Sequence, residues 1–105
     1  MTLSNIQTLL ATVDSGIRHY FSAGTGSAYS YWEETQRLNL PTDDSHQAHE
    51  GWRFYVHRFT KESGDATAAA LFKALDEDAG IAVTWTIDFE NDTGYIHHIF
   101  ECEGY

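Results

Sequence analysis

Apolar residues recur at three- and four-residue steps in the segment Leu3–Phe21, close to the start of the chain. This spacing places them along one side of a helix, so it predicts an amphipathic α-helix that Thr2 or Ser4 can cap. Gly16 weakens that helix by about 1 kcal/mol relative to alanine, but the apolar stripe continues on both sides of it. The small residues of Ser22–Ser27 predict that the helix ends there and that a loop follows.

Two aromatic-rich segments in the middle of the chain predict strands with one exposed face. The first is Ala28–Arg37, and the second is Trp52–Thr60, where apolar and polar side chains alternate. The 13 residues of Leu38–Glu50 between them contain the single proline of the chain and show no periodicity, so they are predicted to form a long loop. A loop of that length in so small a protein suggests a contact element outside the core.

A second helix is predicted after Asp65 or Ser63, either of which can cap its first turn. Its apolar face comprises Ala68, Leu71, Phe72, Leu75 and Ala79. Gly80 occupies the position where a residue in the left-handed conformation ends many helices. The last turn, Asp76–Asp78, is acidic and opposes the helix dipole, which indicates selection for a negative surface.

The strictest alternation lies in the C-terminal quarter, where every second residue of Ile81–Phe89 is large and apolar. Asn91–Gly94 has the composition of a turn, so Tyr95–Glu103 is predicted to return as the partner strand of a hairpin. If Glu90 faces Tyr95, Val83 faces Cys102 and Ile87 faces His98. This register puts Cys102 and His98 on the apolar side, and it turns outward a second set consisting of Tyr95, His97, Ile99 and Glu101.

The predicted order of helix, strand, strand, helix, strand and strand indicates an α+β fold. We expect a two-layer sandwich in which two helices cover one face of a four-stranded, mainly antiparallel sheet. A chain of 105 residues is expected to form a single domain, 1–105. The opposite face of the sheet would expose a partly apolar surface to a partner, made of Tyr55, Thr84, Thr86, Tyr95, His97 and Ile99.

The composition is acidic, with 16 Asp and Glu against 6 Lys and Arg and a formal net charge of -10. We therefore expect no non-specific DNA binding, because it needs clustered basic residues. The chain is 42% hydrophobic, which is enough for a packed core. A single cysteine cannot form an internal disulfide, and we expect neither a signal peptide nor a membrane span, so synthesis in the cytoplasm is the simplest expectation.

Histidines and carboxylates suggest three chemical sites, each of them weak. His46–Glu50 places two imidazoles and a carboxylate close together, but a solvated loop is favoured over a metal site. Cys102 and His98 are both predicted to point inward, where a thiol stays protonated and unreactive. The acidic hairpin tip, Asp88–Asp92, is more typical of a solvated turn than of a cation site. The sequence therefore predicts no enzyme activity, no metal and no cofactor.

Two segments together resemble a known family. They are Gly80–Glu103, GIAVTWTIDFENDTGYIHHIFECE, and Gly51–Glu62, GWRFYVHRFTKE. The pattern is an aromatic strand ending in Phe89–Glu90 and followed by the turn and Tyr95–Ile99, with a strand closing on Thr60–Lys61 and a helix before it. It resembles the tail-terminator (tail-completion) proteins of long-tailed siphophages.

The resemblance implies a structural virion protein that forms a homo-hexameric ring on the head-proximal end of the tail tube. Such a ring ends tube polymerisation and joins the tail to the head connector or stopper protein. DNA would pass through the channel without specific binding, and no membrane is involved. Two alternatives remain open: another head–tail connector component, such as a stopper or minor capsid protein, and a small ligand- or metal-binding domain.

Two sets of residues are candidates for contacts in such a ring. The first set would contact a neighbouring subunit or the tube, because the sequence predicts that it is exposed and partly apolar. It consists of Tyr95, His97, Ile99, Leu38, Leu40, His46 and His49. The second set would line the channel and repel DNA phosphates. It consists of Asp43, Asp44, Asp76 and Glu77.

Overall fold

Two helices and five strands make up the described part of the chain in a computed structural model. The structure describes residues 1–21, 24, 26–42 and 45–105, with the side chains of 40–49 left outside the description. In chain order the elements are α1 Leu3–Ala11, β1 Arg18–His19, β2 Ala28–Thr42, β3 Ser45–Thr60, α2 Ala66–Glu77, β4 Ile81–Phe89 and β5 Ile96–Gly104.

All five strands join one sheet in the order β1-β2-β3-β5-β4. The β2–β3, β3–β5 and β4–β5 pairs are antiparallel, while the two residues of β1 pair in parallel with Tyr31 and Trp32 of β2. The α+β class is confirmed. The expected count of four strands is wrong, because β1 is a fifth strand of the sheet. It is too short to leave a periodic signal in the sequence.

The C-terminal hairpin has the register expected from its alternation. Val83 pairs with Cys102, Trp85 with Phe100 and Ile87 with His98. Gly94 in the turn adopts a φ of 78°, a conformation in which a glycine is favoured. The prediction succeeds because residues of both strands must keep one face toward the core, and a slip of one position would turn every side chain around.

The core lies between the sheet and the two helices, which pack on the same face. Its buried side chains come from α1, β2, β3, α2, β4 and β5 and include Ile6, Leu10, Trp32, Phe54, Leu71, Leu75, Ile81, Phe100 and Cys102. Burial raises the pKa of the Cys102 thiol to about 12. Burying each large apolar side chain stabilises the fold by about 1.5–3 kcal/mol.

The first helix is shorter than its apolar stripe suggests. It begins after the Thr2 cap, as expected, but ends at Ala11 rather than near Phe21. The chain then turns, and the carboxylate Oδ1 of Asp14 accepts a hydrogen bond of 3.0 Å from the backbone N–H of Gly16. Ile17 still reaches the core from this irregular segment, so its spacing imitates a further helical turn.

The second helix has Asp65 as its N-cap, and the backbone N–H of Ala68 donates to that carboxylate at 2.9 Å. The expectation of a left-handed Gly80 is wrong, since Gly80 is absent from the positive-φ residues of the described chain. A Cβ at Gly80 would lie 2.8 Å from the carbonyl oxygen of Tyr105, so glycine permits a close backbone approach here. Ala79 is exposed rather than part of the apolar face.

The predicted loop Leu38–Glu50 is largely a β-ribbon. β2 runs on to Thr42 and β3 starts at Ser45, while β5 pairs with β3 only along Trp52–Thr60. We call residues 38–51 the β2–β3 extension. Because neither β5 nor a helix covers it within the described ranges, no alternation is required, which explains why the sequence shows none. Asp43 and Asp44 lie outside the described residues.

The extension makes the molecule long, with principal dimensions of 52 × 23 × 23 Å. Neither α1 nor α2 has the length and apolar character needed to cross a membrane, and no other helix occurs in the described segments.

Candidate interaction surface

The helix-free face of the sheet carries a group of stacked rings, here called the aromatic cluster. Its members are Tyr29 and Tyr31 of β2, His57 and Phe59 of β3, His97 of β5 and Tyr95 from the adjoining turn. Strand alternation brings them together, since each is one residue away from a side chain that points to the helices. Phe59 is central, with ring centroids 4.0 Å from His97 and 4.7 Å from Tyr29.

The rings of the aromatic cluster shelter one another from water. Phe59 is 7% exposed and Tyr31 is 8% exposed, although both helices lie on the other side of the sheet. Tyr95 closes one end by packing edge-on against Tyr29 and Phe59, and its hydroxyl donates to the carbonyl oxygen of Gly26 at 2.6 Å. Each favourable ring pair adds about 0.5–1.5 kcal/mol beyond simple burial, so this face holds a second small core.

A chain of four ionisable side chains runs through the cluster. Glu33 of β2 lies 3.2 Å from Nε2 of His57, and Nδ1 of His57 lies 2.8 Å from Nε2 of His97. The carboxylate of Glu90 lies 3.9 Å from Nδ1 of His97. With both rings neutral, His57 donates to Glu33 and accepts from His97, which satisfies every short contact in the chain.

This arrangement favours one charge state over the others. Burial and the nearby His57 lower the pKa of His97, while Glu90 and Asp88 act in the opposite direction. One added proton can sit on Nδ1 of His97, which faces Glu90. A second would place an N–H group on each side of the 2.8 Å contact between the two imidazoles, where the two groups would repel each other. The face therefore holds imidazoles among its stacked rings, and His97 links its charge to pH.

The helix-covered face has its own buried histidine. The indole N–H of Trp85 donates to Nδ1 of His98 at 3.0 Å, so Nε2 carries the proton, and that atom has no partner among the described residues. Burial lowers the pKa of His98, and the neighbouring Asp65 opposes this shift. The expectation that His98 points inward is confirmed. Arg58 lies beside it, with Nε 2.9 Å from Asp65.

The structure brings together three of the residues that the sequence singled out for contacts. Tyr95, His97 and Ile99 share the helix-free face, but Tyr95 and His97 are engaged within the aromatic cluster and only half-exposed, like Ile99. Leu38 lies at the start of the β2–β3 extension. Leu40, His46 and His49 belong to its strands by backbone, and their side chains fall outside the described part.

The acidic candidates are less well grouped. Asp76 and Glu77 are exposed in the last turn of α2, and Glu77 lies 4.0 Å from Lys73. Asp43 and Asp44 are outside the described residues, so this pair stays a prediction. Within the described ranges no group of three or more His, Cys, Asp or Glu side chains is arranged to hold a metal ion.

Sequence reasoning missed the partners that make the aromatic cluster. Tyr29 and Tyr31 were recognisable as two-apart aromatics on one strand face, but nothing in the sequence places them beside Phe59. That neighbourhood depends on the β2–β3 and β3–β5 registers, which join residues far apart in the chain. The His57–His97 contact depends on the same long-range pairing.

Large apolar side chains are also exposed in pairs at the two outer strands of the sheet. Tyr20 and Phe21, next to β1, are 52% and 70% exposed, while Ile87 and Phe89 of β4 are 59% and 58% exposed. The expectation that Ile87 and Phe89 are core residues is wrong. Helix α2 covers β4 as far as Trp85, whose ring lies 5.1 Å from Phe72, and the end of the strand runs past it.

The chain beside β1 is strained. Tyr20 has a φ of 74°, which costs a non-glycine residue about 1–3 kcal/mol. Its ring stacks on His19 at 3.9 Å, its hydroxyl donates to the Glu34 carboxylate, and its backbone N–H donates to the carbonyl oxygen of Trp32 at 2.6 Å. Burial acts to raise the pKa of Glu34, but the hydrogen bonds from Tyr20 and His19 outweigh it and lower that pKa.

Comparison by sequence gives no relatives, since no protein-family model matches the chain and no curated protein matches it significantly. Comparison by structure finds a similar fold. The fold is similar to that of a chain in the structure described as "Virion of native gene transfer agent (GTA) particle", with a TM-score of 0.54 and 15% sequence identity. The match covers 90% of this chain and 81% of that one. At this identity the likeness shows that the two chains share a fold.

Proposed function

We propose that this chain is a structural protein of a phage-type virion and acts as a tail terminator. In this role it forms a hexameric ring on the head-proximal end of the tail tube, ends tube polymerisation and meets the head connector or stopper protein. The observation that carries the proposal is the fold shared with a chain of the gene transfer agent virion over 90% of this protein. The family resemblance of Gly80–Glu103 supports it independently.

The shape of the molecule suits a part of an assembly. Four of its exposed large apolar side chains lie at the two outer strands, and the β2–β3 extension projects beyond the body of the sheet. Exposed apolar groups of this size are typical of surfaces that meet a protein partner. A ring of such subunits would present the extension, the helices or the helix-free face to the tube and to the connector.

The acidic charge has a use in a ring that DNA traverses. Six copies at -10 each would carry on the order of -60 before counterions, which repels the phosphate backbone and opposes its adhesion. Asp76 and Glu77 are exposed and can contribute to a channel wall. Salt would screen the repulsion both from DNA and between subunits.

A second candidate is another head–tail connector component, such as a stopper or minor capsid protein. The observation that favours it is the description of the structural neighbour, which refers to the virion particle as a whole. The same fold would then serve at the portal side of the junction rather than on the tube.

Electron microscopy of the purified protein, alone and mixed with tail tubes from the same virion, tests the proposal. We expect rings that cap one end of each tube and stop its further growth. Binding to purified portal complexes but not to tubes would replace the terminator by the connector candidate. Binding to neither would contradict a role at the head–tail junction.

The channel assignment is tested with the double variant Asp76→Asn, Glu77→Gln. If these side chains face the channel, its rings should retain double-stranded DNA at low salt more strongly than wild-type rings do. The control is Glu62→Gln, which neutralises one exposed carboxylate in the turn before α2. Equal DNA retention by all three proteins would move Asp76 and Glu77 to the outer rim.

A further inference from the structure

The two outer strands of the sheet present complementary surfaces. The β1 edge consists of Arg18, Tyr20 and Phe21, which combine a positive charge with two exposed rings. The β4 edge consists of Ile87, Asp88 and Phe89, which combine two exposed apolar side chains with an exposed negative charge. The strand order places these two edges at opposite ends of one sheet.

Among the described residues, the charges of the two edges form no ion pair. None of the ion pairs or side-chain hydrogen bonds found among the described residues involves Arg18, although Arg53, Arg58 and Lys73 are each engaged with a carboxylate. Asp88 is exposed and likewise makes no ion pair within the described ranges. In a protein with a net charge of -10, an exposed arginine just before two residues with exposed rings is an unusual surface.

The β1 edge is also held rigidly. Tyr20 keeps its positive φ because its ring, hydroxyl and backbone N–H are all engaged by His19, Glu34 and Trp32. Strained positions of this kind occur where the surrounding structure fixes a side chain for a purpose. Phe21, the next residue, is 70% exposed, and its ring packs edge-on against Tyr31 at 5.4 Å.

We propose that the β1 edge of one copy of this chain binds the β4 edge of the next copy, head to tail. Phe21 and Tyr20 pack against Ile87 and Phe89, while Arg18 pairs with Asp88. Because the two surfaces differ, each copy keeps one edge free for a further copy, and repetition gives a ring when the rotation between copies closes. The inference rests on the proposed ring-forming function and assigns the subunit contact within it.

Outer strands fit this role for a second reason. β4 is nine residues long, about 30 Å, and no strand of the described chain pairs with its outer side. An uncovered strand of that length is a template for pairing with another chain, and the apolar pair at its end would set the alignment.

The test uses two variants that each break one edge, Phe21→Asp and Ile87→Asp. Both side chains are exposed, so folding should survive, which circular dichroism and urea unfolding verify. Sedimentation velocity should show assembled wild type and monomers of either variant alone. An equimolar mixture of the two variants should give a 1:1 dimer and nothing larger, because one intact edge of each kind remains.

Ala69→Asp, which adds the same charge to an exposed position on α2, is the matched control and should assemble like wild type. A mixture that stays monomeric, a variant that assembles like wild type, or monomeric wild type at all concentrations would overturn the head-to-tail contact. The charge pair has its own test, in which Arg18→Glu and Asp88→Arg each weaken assembly and the double variant restores it.

Failure of this contact and failure of the proposed function give different results. If both single-edge variants still form rings that cap tail tubes in electron micrographs, the edge assignment is wrong and the terminator role stands. If the mixture forms the 1:1 dimer but wild-type rings never bind tubes, the contact stands and the terminator role is wrong.

Discussion

The two faces of the same sheet are built from different kinds of side chain. On the helix-covered face, Trp32, Phe54 and Phe100 are fully buried, and the charges of Arg58 and Asp65 meet at its margin. On the helix-free face, rings and imidazoles stack among carboxylates, and most of them keep partial contact with water. Successive side chains of a strand point to opposite faces of the sheet, so each strand contributes one set of side chains to each face.

The comparison separates the face that supplies most of the free energy of unfolding from the face that makes this free energy depend on pH. The helix-covered face gains its free energy from the exclusion of water, and it has little to adjust. The helix-free face gains less from burial, but it contains His97, whose pKa is lowered by burial, so this face links stability to pH. We expect mutations on the first face to change the free energy of unfolding, and mutations on the second to change its pH dependence.

The largest effect should come from Phe100→Ala. Phe100 is fully buried between Trp85 and the neighbouring strand residue Val56, so its removal leaves a closed cavity. We expect the free energy of unfolding to fall by about 3–5 kcal/mol, a large part of what a small domain has. Urea unfolding followed by tryptophan fluorescence measures it. A loss below about 1.5 kcal/mol would show that this face is less tightly packed than the structure indicates.

Phe59→Ala should have a smaller effect, although Phe59 is the most buried ring of the aromatic cluster. We expect a loss of about 2 kcal/mol, because the gap opens toward solvent and the main cost is the lost ring stacking. The same urea assay applies, with Phe59→Leu as the control that keeps most of the apolar volume. A loss equal to that of Phe100→Ala would remove the distinction between the two faces.

The smallest effect should be a change of pH dependence in His97→Gln. The pKa of His97 is lowered in the folded protein from its usual 6.5, so the unfolded chain binds the proton first as the pH falls. The stability held above pH 6.5 is therefore lost as the pH drops toward the lower, folded pKa. Urea unfolding at about pH 7.5 and about pH 5.5 measures how far the free energy of unfolding falls between these pH values. We expect it to fall less in the variant than in wild type.

His98 shares the sign of this effect, because its pKa is lowered too, so some pH dependence should persist in His97→Gln. Glu34 and Asp65 have lowered pKa values and lose their contribution only in a more acidic range, below the usual carboxyl values near 4. An unchanged difference between the two pH values in His97→Gln would mean that His97 does not contribute to the pH dependence of stability.

The sequence predicted the helix-covered face far better than the helix-free one. Val83, Trp85, Phe100 and Cys102 obey a strict alternation, because a hairpin with one face in the core has a single workable register. The helix from Asp65 follows for a similar reason, since its cap and apolar stripe are local features. The same alternation failed to predict the exposure of Ile87 and Phe89. Alternation specifies the face of the sheet on which a side chain lies, but not how far along the strand the covering helix extends.

The remaining features depend on contacts that are distant in the chain or on segments without a covering layer. The turn at Asp14–Gly16 interrupts a helical spacing that Ile17 then happens to continue. The β2–β3 extension has no alternation because the described structure packs no layer against it. His57 and His97 are 40 positions apart, and only the pairing of β3 with β5 makes them neighbours.

The β2–β3 extension also determines how the molecule moves through water. The radius of gyration of the molecule, 14.8 Å, exceeds the roughly 13 Å of a compact chain of this length. A single copy therefore experiences more friction than a sphere of equal mass and leaves a gel-filtration column early, as a larger globular protein would. Elution volume overstates the number of copies for this shape, whereas sedimentation or light scattering counts them by mass.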